Sequence, residues 1–160
     1  MGAMQAIPGT KSCFICGRQN PHGLNLRFET DGKQVRTTFV AGPNHVGFRD
    51  TVHGGIIAAL LDEVMVWACG VATKRLAYCA EMTVRYAHPL RPGIAALAVG
   101  ELVNNRRGKL FEARAELTDP SHVVLAASTG KYLPLKSTEM SWMLEDFDAG
   151  LETILGPISR

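Results

Sequence analysis

The stretch HGGIIAALLDEVMVWACG, residues 53–70, decides the fold. Two glycines open a run that is apolar on almost every side of a helix from Ile56 to Cys69, interrupted only by Asp62 and Glu63. A helix apolar all round belongs in a core. The apolar part is about 14 residues long with two carboxylates at its middle, whereas a bilayer span takes roughly 20 residues with few or no charges, so the expected setting is the interior of a soluble protein. A buried carboxylate costs several kcal/mol or shifts its pKa upward unless it is paired or has a task. Asp62 and Glu63 are therefore the first candidates for chemistry. They lie about 100° apart round a regular helix and cannot both point into one pocket, so Glu63 is expected to be structural, paired with an Arg.

The rest of the composition narrows the setting. At 160 residues with no long Pro/Gly/Ser-rich linker, the chain is expected to be one domain, residues 1–160, around one core. A net charge of +2 with no Lys/Arg block, basic helix or aromatic ladder argues against nucleic acid as a partner. Met1 to Thr10 carries no basic region followed by an apolar run, so a cytoplasmic location is the expectation. Of the four cysteines, Cys13 and Cys16 form a lone CxxC with His22 six residues on. A zinc site wants a second pair at defined spacing, so the two are read as half-buried thiols and no metal ligand is assigned. Cys69 and Cys79 sit in apolar surroundings and are read as small hydrophobes.

Upstream of the helix, Gly23 to Thr30 and Lys33 to Val40 alternate in character around Asp31-Gly32, a strong hairpin signal. Ala41 to Val52 is aperiodic and rich in Gly, Pro, Asn and Asp, a loop that delivers His45 and Asp50 to the helix start. The helix is expected to stop near Gly70. Strands follow over Ala77 to Tyr86, Ile94 to Val103, Lys109 to Leu117 and His122 to Leu133, separated by His88–Gly93, Asn104–Gly108 and Thr118–Ser121. Met140, Met143, Leu144, Phe147, Leu151, Ile154 and Leu155 then recur at three- and four-residue spacing, an amphipathic pattern over 137–156 broken by Gly150. Two strands, one buried helix, four strands with short connections and a helical tail describe an α+β protein: about six antiparallel strands wrapped round one central helix.

The strings VHGGIIAALLDEVM, the HVG before it, EMTVRYAHPLRPG and the opening CFICGRQNPHGLNLRF resemble the PaaI-like branch of the hotdog-fold acyl-CoA thioesterases, over roughly Cys13 to Tyr132. The resemblance implies a hotdog core over about 13–133. It also implies homodimers that often pair again, and hydrolysis of an acyl-CoA thioester to free acid and coenzyme A with no cofactor beyond the substrate. It gives Gly54 the role of carbonyl-polarising N–H donor and Asp62 that of general base or nucleophile. The residues themselves support both roles. A glycine at a helix N-terminus offers an unpaired N–H, the positive end of the dipole and no Cβ to obstruct a ligand. An acid in a partly apolar setting can serve as base or attack directly, and the sequence leaves those two open.

Around this pair, His45, Gly47, His53, Gly55, Ala80, Arg106 and Arg107 are candidate substrate contacts. His45 and His53 read more readily as loop residues that fix backbone, and the two arginines as a solvated hairpin tip within reach of coenzyme A phosphates. Gly47 and Ala80 mark departures: some relatives carry Asn or Gln at the first position and Ser or Thr at the second, where only Thr83 lies nearby here. Two other functions compete, a hotdog hydroxyacyl-thioester dehydratase or hydratase and a non-catalytic acyl-CoA-binding protein.

Overall fold

The computed structural model describes residues 3–157. Its centre is helix α1, Gly54–Thr73, and its wall is one antiparallel sheet of seven strands. The strands are β1 (Gln5–Ile7), β2 (Phe28–Thr30), β3 (Gln34–Val40), β4 (Ala77–Tyr86), β5 (Ala95–Arg106), β6 (Leu110–Thr118) and β7 (Val124–Pro134). They lie in the order β1-β2-β3-β5-β6-β7-β4. One strand more than expected is present because Gln5–Ile7 pairs with Phe28–Thr30, and three residues are too few for an alternation to be read. The expected strand over Gly23–Thr30 shrinks to Phe28–Thr30; the hairpin at Asp31-Gly32 is present, its Asp31 carboxylate accepting from the Lys33 and Gln34 N–H groups.

Helix α1 rests on the middle of the sheet. Ile57, Leu60, Leu61, Val64, Met65, Ala68 and Cys69 bury against Val35, Phe39, Ala96, Ala98, Phe111, Ala113, Ala115 and Leu117, the inward positions of alternating strands. Gly100 of β5 sets the spacing: a Cβ there would stand 2.4 Å from the Val64 Cγ1 and 3.1 Å from the Val64 carbonyl oxygen. By length and composition α1 is apolar enough to cross a bilayer, so the length of the apolar stretch does not separate the two settings. The sheet does: the greater part of the helix is buried against it.

The helix also runs past Gly70. It ends at Thr73, capped by Lys74 in the left-handed conformation (φ 62°), whose N–H reaches the Gly70 carbonyl. Gly70 is instead a buried packing position under Leu155, 3.5 Å from where its Cβ would be. The β5–β6 hairpin is tighter than expected, since Asn104, Asn105 and Arg106 continue β5 and the turn is Arg107-Gly108-Lys109.

The amphipathic tail forms two short helices, α2 (Ser137–Met143) and α3 (Leu151–Leu155), with a 3-10 turn between them. Gly150 at φ 98° starts α3. Leu151, Ile154 and Leu155 are buried, the Phe147 ring meets Trp67 of α1 edge-on at 6.0 Å, and Lys74 Nζ donates to the Ile154 carbonyl. Ser12 and Arg18 of the N-terminal segment hold Asp146 and Asp148. The two ends of the chain thus cover the C-terminal half of α1 together.

The Gly100→Ala substitution tests this packing. A methyl forced against the α1 backbone should destabilise the fold by about 1–3 kcal/mol, the usual range for overpacking, read as a lower urea midpoint with an unchanged slope.

Candidate active site

The loop before α1 is held by its own polar groups. His45 Nδ1 accepts from the Gly42 N–H at 3.0 Å, its ring tilts against Phe39 at 5.6 Å, and its carbonyl accepts from the His53 N–H at 2.8 Å. His53 is the N-cap: its backbone is extended and its Nδ1 accepts from the Gly55 N–H at 2.8 Å. That places an imidazole nitrogen where a Ser or Asp oxygen usually caps. Gly47 lies against it, since a Cβ there would meet His53 Cδ2 at 3.0 Å. Gly55 is equally confined, 3.0 Å from the His53 Nδ1. His45, Gly47, His53 and Gly55 therefore build the helix start, and both histidines act there as hydrogen-bond acceptors.

The consequence falls on Gly54. The N–H groups of Gly55, Ile56 and Ile57 all go to His53, whereas among the described residues the Gly54 N–H donates to nothing. Its carbonyl accepts from the Tyr86 hydroxyl at 2.8 Å, and the Tyr86 ring lies 3.3 Å from where a Cβ would stand. Gly54 borders a largely apolar cavity of about 400 Å3, together with Phe48, Ile57, Tyr86, Pro89 and Leu90. A free N–H at the positive end of a 20-residue helix, beside an apolar cavity, is an acceptor site for a carbonyl that gains negative charge.

Asp62 lies two turns on, about 12 Å along the axis at 1.5 Å per residue. Its Oδ1 accepts from the Tyr132 hydroxyl at 2.9 Å. Tyr132 is fully buried, and burial followed by the nearby Asp62 charge pushes its phenol far above the ordinary value, so it acts here as a donor. Cys79 is close to the same pair, its thiol raised first by burial and then by Asp62. Neither Tyr132 nor Tyr86 stands out in the sequence, because a tyrosine in a strand is ordinary composition and only the register shows which one reaches the helix.

Glu63 points elsewhere, as its angular offset from Asp62 requires, but not to an arginine. It receives the Cys16 thiol at 3.3 Å and the Cys13 thiol at 3.7 Å. Burial, then the neighbouring Cys13, pushes its carboxyl up to about 8. The Cys16 thiol beside it, with the Cys16 and Ile15 N–H groups, draws Cys13 down to about 5, and the same contact pushes Cys16 up. Cys69 is buried and raised to about 12 by burial alone, in keeping with a small hydrophobe.

The remaining candidates are spread out. Ala80 is the extra residue of a bulge between Cys79 and Glu81 in β4, an exposed position on the edge strand. Arg106 pairs with Glu112 at 2.7 Å, and Arg107 occupies the turn at φ 53°. That tip is tied to the far end of α1, where Arg75 donates to the Gly108 carbonyl.

Residues 50–126 match the sequence pattern of the Thioesterase superfamily. Solved structures with the same architecture carry that description. One thioesterase superfamily protein is 22% identical with a TM-score of 0.68, covering 76% of this chain; this chain spans 59% of its length. The chain has the fold of these structures, the hotdog fold. The PaaI protein from the E. coli phenylacetic acid degradation operon is 16% identical, with a TM-score of 0.64 over 71% of this chain and 81% of its own. A Streptococcus mutans UA159 protein solved with acetyl-CoA is 18% identical, with a TM-score of 0.60 over 64% of this chain and 82% of its own. No functionally curated protein matches the chain in sequence. The helix start of this hotdog domain, with its HGG and the acid beyond, lies inside the matched segment.

Proposed function

We propose that this hotdog protein hydrolyses an acyl-CoA thioester to the free acid and coenzyme A, with the Gly54 N–H as oxyanion donor and Asp62 as general base or nucleophile. The observation that carries the reading is the unpaired Gly54 N–H beside an apolar cavity, in a helix start whose next three N–H groups are all taken by His53. Acyl-CoA as the ligand draws support from the acetyl-CoA bound by the Streptococcus mutans relative.

In the base-catalysed form, Asp62 takes a proton from water as its oxygen adds to the thioester carbon, and the carbonyl oxygen gathers charge at Gly54. Collapse breaks the C–S bond and the leaving thiolate takes up a proton. In the nucleophilic form the Asp62 oxygen makes that bond itself and water opens the resulting anhydride. Either way the Tyr132 hydroxyl fixes the carboxylate and leaves Oδ2 for the reaction.

The donor must lie about 3 Å from the carbonyl oxygen and the acid within similar reach of the carbon, which the roughly 12 Å between Gly54 and Asp62 forbids within one chain. The site is therefore shared by two copies. Two features favour the pairing. Strand β4 is a ten-residue sheet edge with no strand on its outer side among the described residues, and a long free edge invites a partner. Next to it, Gly55, Ala58, Ala59 and Asp62 are among the positions of α1 left wholly or partly exposed, beside the larger Ile56, Glu63 and Val66, and the glycine and alanines let a second helix approach there. Antiparallel helices would bring each Gly54 beside the other chain's Asp62. Thr73 lies 11 residues, about 16 Å, past Asp62, so the Arg106/Arg107 tip beyond it would stand outside the partner's Gly54, on the side where the nucleotide end of coenzyme A emerges.

Asp62→Asn should lower acyl-CoA hydrolysis, followed as free thiol across a panel of acyl groups, by about two to four orders of magnitude. Tyr132→Phe should lower kcat roughly 10- to 100-fold with little change in KM, the worth of one hydrogen bond to a charged group. Full activity in a folded Asp62→Asn protein removes the assignment; double-bond formation or tight binding without thiol release would indicate a dehydratase or a binding protein instead. Replacing Arg106 and Arg107 together by Ala should raise KM in a salt-dependent way and spare kcat. An unchanged KM returns both to the solvated surface.

A further inference from the structure

The Cys13, Cys16 and Glu63 cluster serves no step of the proposed hydrolysis. Glu63 extends from α1 on the side away from the Asp62–Tyr132 contact, and the loop carrying the two thiols folds down to meet it. The loop is built for close approach. The Gly17 N–H closes back on the Cys13 carbonyl at 2.8 Å, and a Cβ at Gly17 would stand 2.3 Å from that oxygen and 2.6 Å from the Cys13 nitrogen, so only glycine makes the turn. The turn presents both sulfurs on one side, and the Ile15 N–H is aimed at the Cys13 Sγ at 3.2 Å.

The distances are those of a coordination polyhedron. The two Sγ atoms and a Glu63 oxygen all lie within 4.8 Å of one another. The sulfur-to-oxygen separations are 3.3 and 3.7 Å. A tetrahedral zinc with bonds of about 2.3 Å to sulfur and about 2.0 Å to oxygen sets S and O about 3.5 Å apart, between the two observed values. The set is two soft ligands and one hard one, the kind that selects zinc over magnesium or calcium. It also lacks a countercharge: among the described residues no Lys, Arg or His forms an ion pair with Glu63.

A second observation lies beside the first. A cavity of about 450 Å3 opens onto Cys13 and Glu63 and is lined further by Trp67, Trp142 and Phe147. Trp67, one turn along α1 from Glu63, is 3% exposed, and its indole N–H is directed at the Glu63 carboxyl without closing a hydrogen bond of good geometry among the described residues. The cavity beside the three ligand atoms leaves room for a fourth ligand on an ion held by them, and the indole N–H steadies the Glu63 carboxylate from the other side of the helix turn.

We propose that Cys13, Cys16 and Glu63 bind one zinc ion, with the fourth position facing the Trp67 cavity and taken by water or a small oxygen ligand. The ion ties the N-terminal loop to α1. His22, exposed and engaged through its backbone N–H with Asn20, stands outside the ligand set. The CxxC therefore needs no second cysteine pair, because its third ligand comes from the central helix 47 residues further on.

The test is metal content and cobalt spectroscopy on the reduced full-length chain. Purified protein should hold one zinc per chain, and the stripped protein should take up one cobalt with a thiolate-to-cobalt charge-transfer band. Cys13→Ser and Cys16→Ser should each weaken that band and the binding. Glu63→Gln, which keeps shape and both thiols, should weaken zinc binding by at least the roughly 10- to 100-fold that loss of a mere outer-shell partner costs, and circular dichroism would show each variant folded. Removing zinc should lower the thermal midpoint of the wild-type chain and leave that of Glu63→Gln nearly alone. The proposal fails if the reduced protein takes up neither metal, if Glu63→Gln binds as tightly as wild type, or if the thiols close to a Cys13–Cys16 disulfide that zinc does not prevent. These readings do not depend on acyl-CoA turnover, so they fail or succeed apart from the hydrolase reading.

Discussion

The rotation of α1 about its own axis is the constraint on which the rest of the structure depends. It is set where Val64 presses onto Gly100, a contact with no room for a single methyl group. With Val64, Leu60, Leu61 and Ala68 directed into the sheet, the remaining directions follow from 100° per residue. Asp62 turns toward Tyr132 at the end of β7, Glu63 toward the thiols of the N-terminal loop, and Gly55, Ala58 and Ala59 outward. Three functions of one helix are thereby sorted by angle: core, proposed chemistry and proposed metal tie.

The helix start is fixed by a different device. His53 caps it through its ring and its backbone carbonyl at once, taking three successive N–H groups and leaving that of Gly54. The loop before it is braced by His45, and each imidazole already spends its Nδ1 on a backbone N–H. In this reading the histidine of the HGG motif shapes the oxyanion site without touching the reacting atoms, and Gly47 and Gly55 are small because the His53 ring occupies their side-chain space.

Much of this was legible in advance. The central helix, the Asp31-Gly32 hairpin, the four following strands and the packing tail all announce themselves by period and punctuation; a single sheet curled round one helix follows from their order, and the hotdog fold from the resemblance. What stayed hidden was long-range. Gly70 looks like a helix stop because glycine usually is one, but here Leu155 of the tail needs the space and Lys74 makes the left-handed cap. Glu63 was expected to meet an arginine since buried acids commonly do, whereas its partners are thiols that lie 47 and 50 residues away. Tyr132 and Tyr86 became visible only through strand register, and β1 only through its pairing with β2.

The central claim is that Gly54 of one copy works with Asp62 of another, and subunit complementation tests it most directly. An inactive Asp62→Asn chain is mixed with a chain in which Gly54→Val blocks the oxyanion position, under conditions that allow exchange confirmed by native mass spectrometry. In a shared site, each hybrid dimer retains one pairing of an intact Gly54 with an intact Asp62, so activity should return toward half the wild-type value per hybrid. If both variants are folded and exchanged and no activity returns, the site is not shared between copies and the account is wrong.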